Sequence, residues 1–152
     1  MLKLLLDEHI SPSVAAGLHR GNRLLLVHFM AEWENGEFLG RDDSACLQQA
    51  AAQALTLVTY DRRTIPPLLK TWAEEERDHG GVIFIDEKTI SPADIGGQVG
   101  ALSNLVREAA KWDWTLGSAS CSVDLGIHRL FRFKPYPSHN LPSSGLSNPA
   151  PT

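Results

Sequence analysis

Apolar positions along this chain fall into short unbroken blocks, separated by stretches where they recur every three or four residues. Residues Leu2 to Leu6 form the first block, which stops at Asp7-Glu8. A run this continuous does not alternate, so it suits a strand covered on both faces of a parallel sheet. Ser11-Pro12 supplies an N-cap followed by proline at the first helical position. Val14, Ala15 and Leu18 then give that helix one apolar side, and Gly21 ends it. Residues Leu24 to Phe29 are a second apolar strand, so the opening segment is a βαβ unit.

Residues 31–41 read as a loop punctuated by Gly36 and Gly40. Asp42-Asp43 precede a helix with Leu47, Ala50, Ala51 and Ala54 on one side. Leu55 to Thr59 make a third strand that runs into Tyr60-Asp61, and a helix follows over Pro67 to Arg77 with Trp72 on its apolar side. Asp78-His79-Gly80-Gly81 is a turn, and Val82 to Ile85 a fourth strand ending at Asp86. Ser91-Pro92-Ala93-Asp94 resembles a capping box with Asp in place of Glu. Ile95, Val99, Leu102, Val106 and Ala109 then repeat at helical spacing, with Gly96-Gly97 in the opening turn for close packing and not for phosphate binding.

Beyond Trp112 the pattern decays. The expected organisation is a domain over residues 1–112, an extension over 113–134 holding a short strand or arm, and a disordered Pro/Ser-rich tail over 135–152. Strands alternating with helices imply an α/β three-layer sandwich around a mostly parallel sheet of four or five strands.

Composition changes this picture little. At 152 residues, 43% hydrophobic and 21% charged, the chain has room for one domain with a buried core. No window approaches a transmembrane span, and carboxylates interrupt the opening apolar run before it can act as a signal peptide. Cys46 and Cys121 stand alone in sequence, which suits reduced thiols in the cytoplasm. The net charge of −4 and pI near 5.8 are a poor match for a nucleic-acid backbone, so any such partner needs bound cations or a local basic patch.

The candidate chemistry lies in the acids. In open parallel sheets ligands bind beyond the carboxyl ends of the strands. Asp7, Asp61 and Asp86 follow three strands directly, and Asp43 opens the helix that feeds the third. Carboxylates brought together repel one another unless a cation neutralises them. Hard oxygen donors favour Mg²⁺ or Mn²⁺, which can activate a water for phosphodiester hydrolysis. Each acid also has a plainer role. Asp42 and Asp43 are placed to cap a helix, Asp86 lies in a solvated turn with Glu87-Lys88-Thr89, and Glu8 is either a ligand or a solvated neighbour of Asp7. Arg62 and Arg63 either steer a phosphate or pair with the acids. His9, His28 and His79 lack metal-type spacing, and there is no GxSxG, Walker loop or GxGxxG.

Taken together, Leu4-Leu5-Leu6-Asp7-Glu8-His9-Ile10-Ser11-Pro12, Asp43 at the head of an alanine-rich helix, Leu57-Val58-Thr59-Tyr60-Asp61 and His79-Gly80-Gly81-Val82-Ile83 resemble a family. It is the small bacterial PIN-like proteins, several of them related to toxin–antitoxin ribonucleases, and the likeness covers about residues 2 to 110. The resemblance implies a PIN-like fold and a Mg²⁺- or Mn²⁺-dependent endoribonuclease with Asp7, Asp43 and Asp61 as metal ligands. An RNA substrate follows from that activity, and an antitoxin protein and a second copy of the chain are candidate partners. Many relatives carry a further Asp where this chain has Arg62-Arg63-Thr64, so the fourth acid stays open between Glu8, Asp42 and Asp86. Two other functions are compatible with the residues. A receiver-like phosphoacceptor would use Asp61 and Lys88 with Mg²⁺, although Asp86 replaces the Ser or Thr expected at that strand end. A non-catalytic interaction module fits the acidic pI and the missing fourth acid.

Overall fold

Three leucines, Leu4–Leu6, form strand β1, and each is 0% exposed. Their side chains alternate between two separate cores. Leu4 and Leu6 pack with Val58, Ile83 and Ile85 on one face, and Leu5 packs with Leu57, Val82 and Phe84 on the other. A sheet buried on both faces needs a helical layer on each. Helices α1 (Pro12–Gly21) and α4 (Ile95–Ala109) cover the first face through Val14, Leu18, Leu102 and Leu105. Helices α2 (Asp43–Ala52) and α3 (Ile65–Glu74) cover the second through Leu47, Ala50, Leu69 and Trp72. The chain is thus an α/β three-layer sandwich. The computed structural model describes residues 2–111 and the strand 127–130; Cys121, the rest of the extension and the tail from 135 lie outside the described residues.

Strands β2 (Val27–Phe29), β3 (Thr56–Thr59), β4 (Val82–Ile85) and β5 (Ile127–Leu130) complete a sheet of order β2-β1-β3-β4-β5. The first four are parallel, with Leu6 opposite both Phe29 and Val58, and Thr59 opposite Phe84. The backbone of β5 runs antiparallel along β4, Ile127 opposite Ile85 and Leu130 opposite Val82. No helix among the described residues is long and apolar enough to cross a membrane.

Several boundaries differ from the apolar pattern, β1 starting at Leu4, β3 at Thr56, α2 ending at Ala52 and α3 at Glu74, and three further starts have a plain physical cause. Strand β2 starts at Val27 instead of Leu24, because Leu24 and Leu26 are 77% and 50% exposed at the edge of the sheet. Helix α3 begins at Ile65, ahead of Pro66-Pro67, since proline is tolerated in a first turn whose N–H groups lack helical partners anyway. Helix α4 begins a turn later than a Ser91 cap would place it. Asp94 is its N-cap, accepting from the Gly97 N–H at 2.8 Å, while Ser91 Oγ accepts from the Ala93 N–H in a separate turn. What approaches Gly97 closely is therefore this capping carboxylate; a Cβ there would lie 2.3 Å from Asp94 Oδ2.

The turn into β4 has a stricter glycine. A Cβ on Gly80 would lie 2.1 Å from the Leu55 carbonyl oxygen, in backbone that cannot swing aside. Gly80 and Gly81 are also tied to β3, through Thr56 Oγ1 donating to the Gly80 carbonyl at 2.7 Å and the Leu57 N–H donating to the Gly81 carbonyl at 3.0 Å. Gly80→Ala should therefore destabilise the fold by about 1–3 kcal/mol or more, read as a lower urea midpoint with an unchanged slope. An unchanged midpoint would show that the two strands do not need this contact.

Candidate functional site

The sheet order sets where a site can form. From β1 the chain crosses to β2 on one side, and β3 then joins β1 on the other, so a crevice opens beyond the carboxyl ends of β1 and β3. Asp7 stands at its floor. Its N–H extends the ladder to the Val58 carbonyl at 3.0 Å, which fixes the backbone. Its Oδ2 accepts from the Thr59 hydroxyl at 2.6 Å and its Oδ1 from the Glu8 N–H at 2.7 Å. Thr59 is 0% exposed and its Oγ1 in turn accepts from the Asp61 N–H at 3.0 Å.

Asp61 is held by its own loop. Its Oδ1 accepts from the N–H groups of Arg63 and Thr64 at 2.8 and 3.0 Å, and its Oδ2 from the Thr64 hydroxyl. Burial raises the Asp61 carboxyl, but these hydrogen bonds and the nearby Arg63 charge outweigh it and hold the group below the ordinary carboxylate range. Thr64 Oγ1 also lies 2.9 Å from Asp43 Oδ2. Asp43 is the first residue of α2 and Asp42 its N-cap, yet the Asp42 side chain makes no capping bond, and the bond formed by the Asp43 carboxylate reaches across to Thr64. A chain of contacts thus runs Asp7–Thr59–Asp61–Thr64–Asp43. A hydroxyl carries one hydrogen, so Thr64 can donate to only one of Asp43 and Asp61 at a time.

Asp7, Glu8 and Asp43 line one pocket at this edge, over an apolar floor that includes Met30, Leu57 and Ile65. The thiol of Cys46 lines it as well and registers the local field. Burial first, then the charges of Asp43, Asp7, Asp42 and Glu8, push this thiol up to about 11. Asp42 is exposed beside the pocket. Asp86 is apart from it and bound into its own turn, accepting from the Thr89 hydroxyl at 2.9 Å and the Lys88 N–H at 3.4 Å. The Thr89 bond leads the influences on the Asp86 carboxyl; desolvation opposes it, and the Lys88 N–H and the charges of Arg62 and Lys88 help to hold the group below the ordinary carboxylate range. Arg62 and Arg63 are exposed and do not line the pocket; their charges act on Asp86 and Asp61 respectively.

Among the described residues, no three His, Cys, Asp or Glu side chains converge closely enough to hold a metal ion by themselves. Asp7 and Asp43 nevertheless offer the donor chemistry of a Mg²⁺ site, because that ion keeps several waters and commonly binds through one or two carboxylates plus substrate phosphate. No family model, curated protein or solved structure matches the chain.

Three site residues escape a reading of the sequence. Thr59 and Thr64 look like ordinary strand-end and loop threonines, and Arg41 like the end of a loop; only the fold places Arg41 in the acidic pocket. The adjacency of Arg41 to Asp42-Asp43 was the one available signal.

The raised Cys46 thiol has a consequence for stability. From pH 9 to about 11 the thiol ionises in the unfolded chain but stays protonated in the folded one, so its contribution to stability falls as pH rises through that window. Urea midpoints of wild type should therefore drop more steeply there than those of Cys46→Ala. Parallel pH profiles would show that the field at Cys46 is weaker than its surroundings imply.

Proposed function

We propose that this chain is an endoribonuclease that hydrolyses RNA phosphodiester bonds with Mg²⁺ or Mn²⁺. The observation that carries the proposal is the pairing of Asp7 and Asp43 in one pocket at the switch point of the sheet, with no cationic side chain among the described residues in an ion pair with either. Two carboxylates from separate elements, lining one pocket and ion-paired with no cationic side chain among the described residues, suit a divalent cation. Asp7 and Asp43 would hold the ion, with Glu8 beside them and Asp61 Oδ1 accepting from the Thr64 backbone N–H while the Thr64 hydroxyl donates to Asp43. When bound, the ion would lower the pKa of a water and stabilise charge on the leaving oxygen. The chain's own part is to fix the two carboxylates, one through the Thr59 hydroxyl and the other through Thr64. A reducing, cytoplasmic setting suits the buried free thiol of Cys46. An antitoxin protein and a second copy of the chain are the candidate protein partners of this reading.

A second reading, a non-catalytic interaction module, is favoured by the absence of three converging acids among the described residues. The receiver-like alternative is disfavoured because Asp61 does not line the acidic pocket with Asp7 and Asp43, and Asp86 takes the place of the Ser or Thr expected at the end of β4. Incubation of the full chain with single-stranded RNA and Mg²⁺ or Mn²⁺ decides between the first two. Cleavage that EDTA abolishes supports the nuclease; intact RNA under both metals leaves the interaction module.

A further inference from the structure

Arg41 stands in the lining of the acidic pocket with Asp7, Glu8 and Asp43, yet it forms no ion pair among the described residues. A guanidinium next to carboxylates ordinarily collapses onto them in bidentate pairs. Here it is held elsewhere. Its Nε donates to the Glu37 carbonyl at 2.9 Å, and its Cζ lies 5.6 Å from the centroid of the Phe38 ring. Phe38 is itself anchored, its ring 4.9 Å from that of Trp33, which is buried. Gly40, in the left-handed region at φ 72°, turns the loop just before Arg41. Backbone and aromatic contacts thus fix the stem and Nε, and neither terminal nitrogen of the fork has a hydrogen-bond partner among the described residues.

We propose that Arg41 grips the phosphodiester in this pocket, giving Nη1 and Nη2 to its non-bridging oxygens. Arg62 and Arg63, outside the pocket, do not share that task. The proposal rests on the nuclease reading for the nature of the substrate. Its physical basis is complementarity: a planar two-pronged donor matches phosphate oxygens, whereas the neighbouring carboxylates would repel the same anion. An acidic protein that binds RNA needs such a local cation, and Arg41 supplies it within the pocket itself. Arg41 would position substrate, with no role in moving protons.

Two readouts test this on the full chain. Steady-state cleavage of a fluorescein-labelled single-stranded RNA gives KM and kcat, and anisotropy of the same RNA in Ca²⁺ gives Kd over a salt series. Arg41→Ala is expected to raise KM and Kd about tenfold or more, to leave kcat within roughly threefold, and to reduce the salt slope by about 0.7. Arg41→Lys should restore the salt slope but only part of the affinity, because the charge returns without the fork. Arg62→Ala and Arg63→Ala should change neither constant by more than about twofold. If wild type cleaves and Arg41→Ala matches it in KM, Kd and slope, this inference falls while the nuclease reading stands. If wild type binds RNA without cutting it and Arg41→Ala loses that binding, the nuclease reading falls and the anion grip holds. RNA that wild type neither binds nor cuts overturns both.

Discussion

Asp7→Asn should reduce metal-dependent RNA cleavage by at least about a hundredfold, as should Asp43→Asn, because each removes one of the two carboxylate charges proposed to hold the ion. Asp61→Asn should lose less, roughly tenfold, by the same principle for residues that orient ligands. The ordering follows from the hydrogen bonds. Asparagine keeps the Oδ1 that accepts from Arg63 and Thr64, so the loop survives in Asp61→Asn, and only the hold on Thr64 changes. Asp7→Asn also alters the contact with buried Thr59, so thermal melts must accompany the kinetics. A drop in melting temperature of a few degrees is tolerable; a collapsed fold is not a loss of chemistry. Equal activity in wild type and Asp7→Asn would remove this carboxylate from the mechanism.

The largest effect on stability is expected from Trp72→Ala. Trp72 is among the largest fully buried side chains, packed in the core between the sheet and α2–α3. Truncating a buried Trp typically destabilises by about 3–5 kcal/mol, enough to lower the melting temperature by roughly 10 °C or more. Two details refine this expectation. The indole N–H has no hydrogen-bond partner among the described residues, and the Arg77 guanidinium sits 3.9 Å over the ring. Trp72→Phe deletes the unpartnered donor and keeps an aromatic face for Arg77, so it should cost under about 2 kcal/mol. If Phe and Ala prove equally damaging, a partner for the N–H must exist. Helix α3 begins directly after Thr64, so loosening its core contacts should also loosen the link between Asp61 and Asp43.

The fold was largely legible because burial on both faces shows as apolar runs at Leu4–Leu6 and Val82–Ile85 and as the apolar pair Leu57-Val58 between buried threonines in β3. Leu24 and Leu26 misled for the same reason: an apolar residue does not declare whether the sheet continues beyond it. The start of α4 is not fixed by sequence, because Ser91 and Asp94 both carry cap chemistry and only backbone geometry chooses between them. At the site, the strand-end position of Asp7 was readable from the break in the run that precedes it. The arrangement of Asp43 was not, since an acid in a helix's first turn looks the same whether it caps or turns away. Thr59, Thr64 and Arg41 owe their roles to rotamers and to contacts across the chain, such as the 52-residue separation of Thr59 from Asp7, which no local pattern encodes.

The place of β1 between β2 and β3 also has a bearing on synthesis. Strand β1 leaves the ribosome before either of its neighbours; β2 can flank it within one βαβ unit, but its other neighbour is β3. At roughly 5–20 residues per second, several seconds pass before that second neighbour emerges. During that wait a three-leucine strand stands half-covered on the nascent chain. The acids that follow it directly, Asp7 and Glu8, are then charged gatekeepers against association with other chains before they become the floor of a pocket.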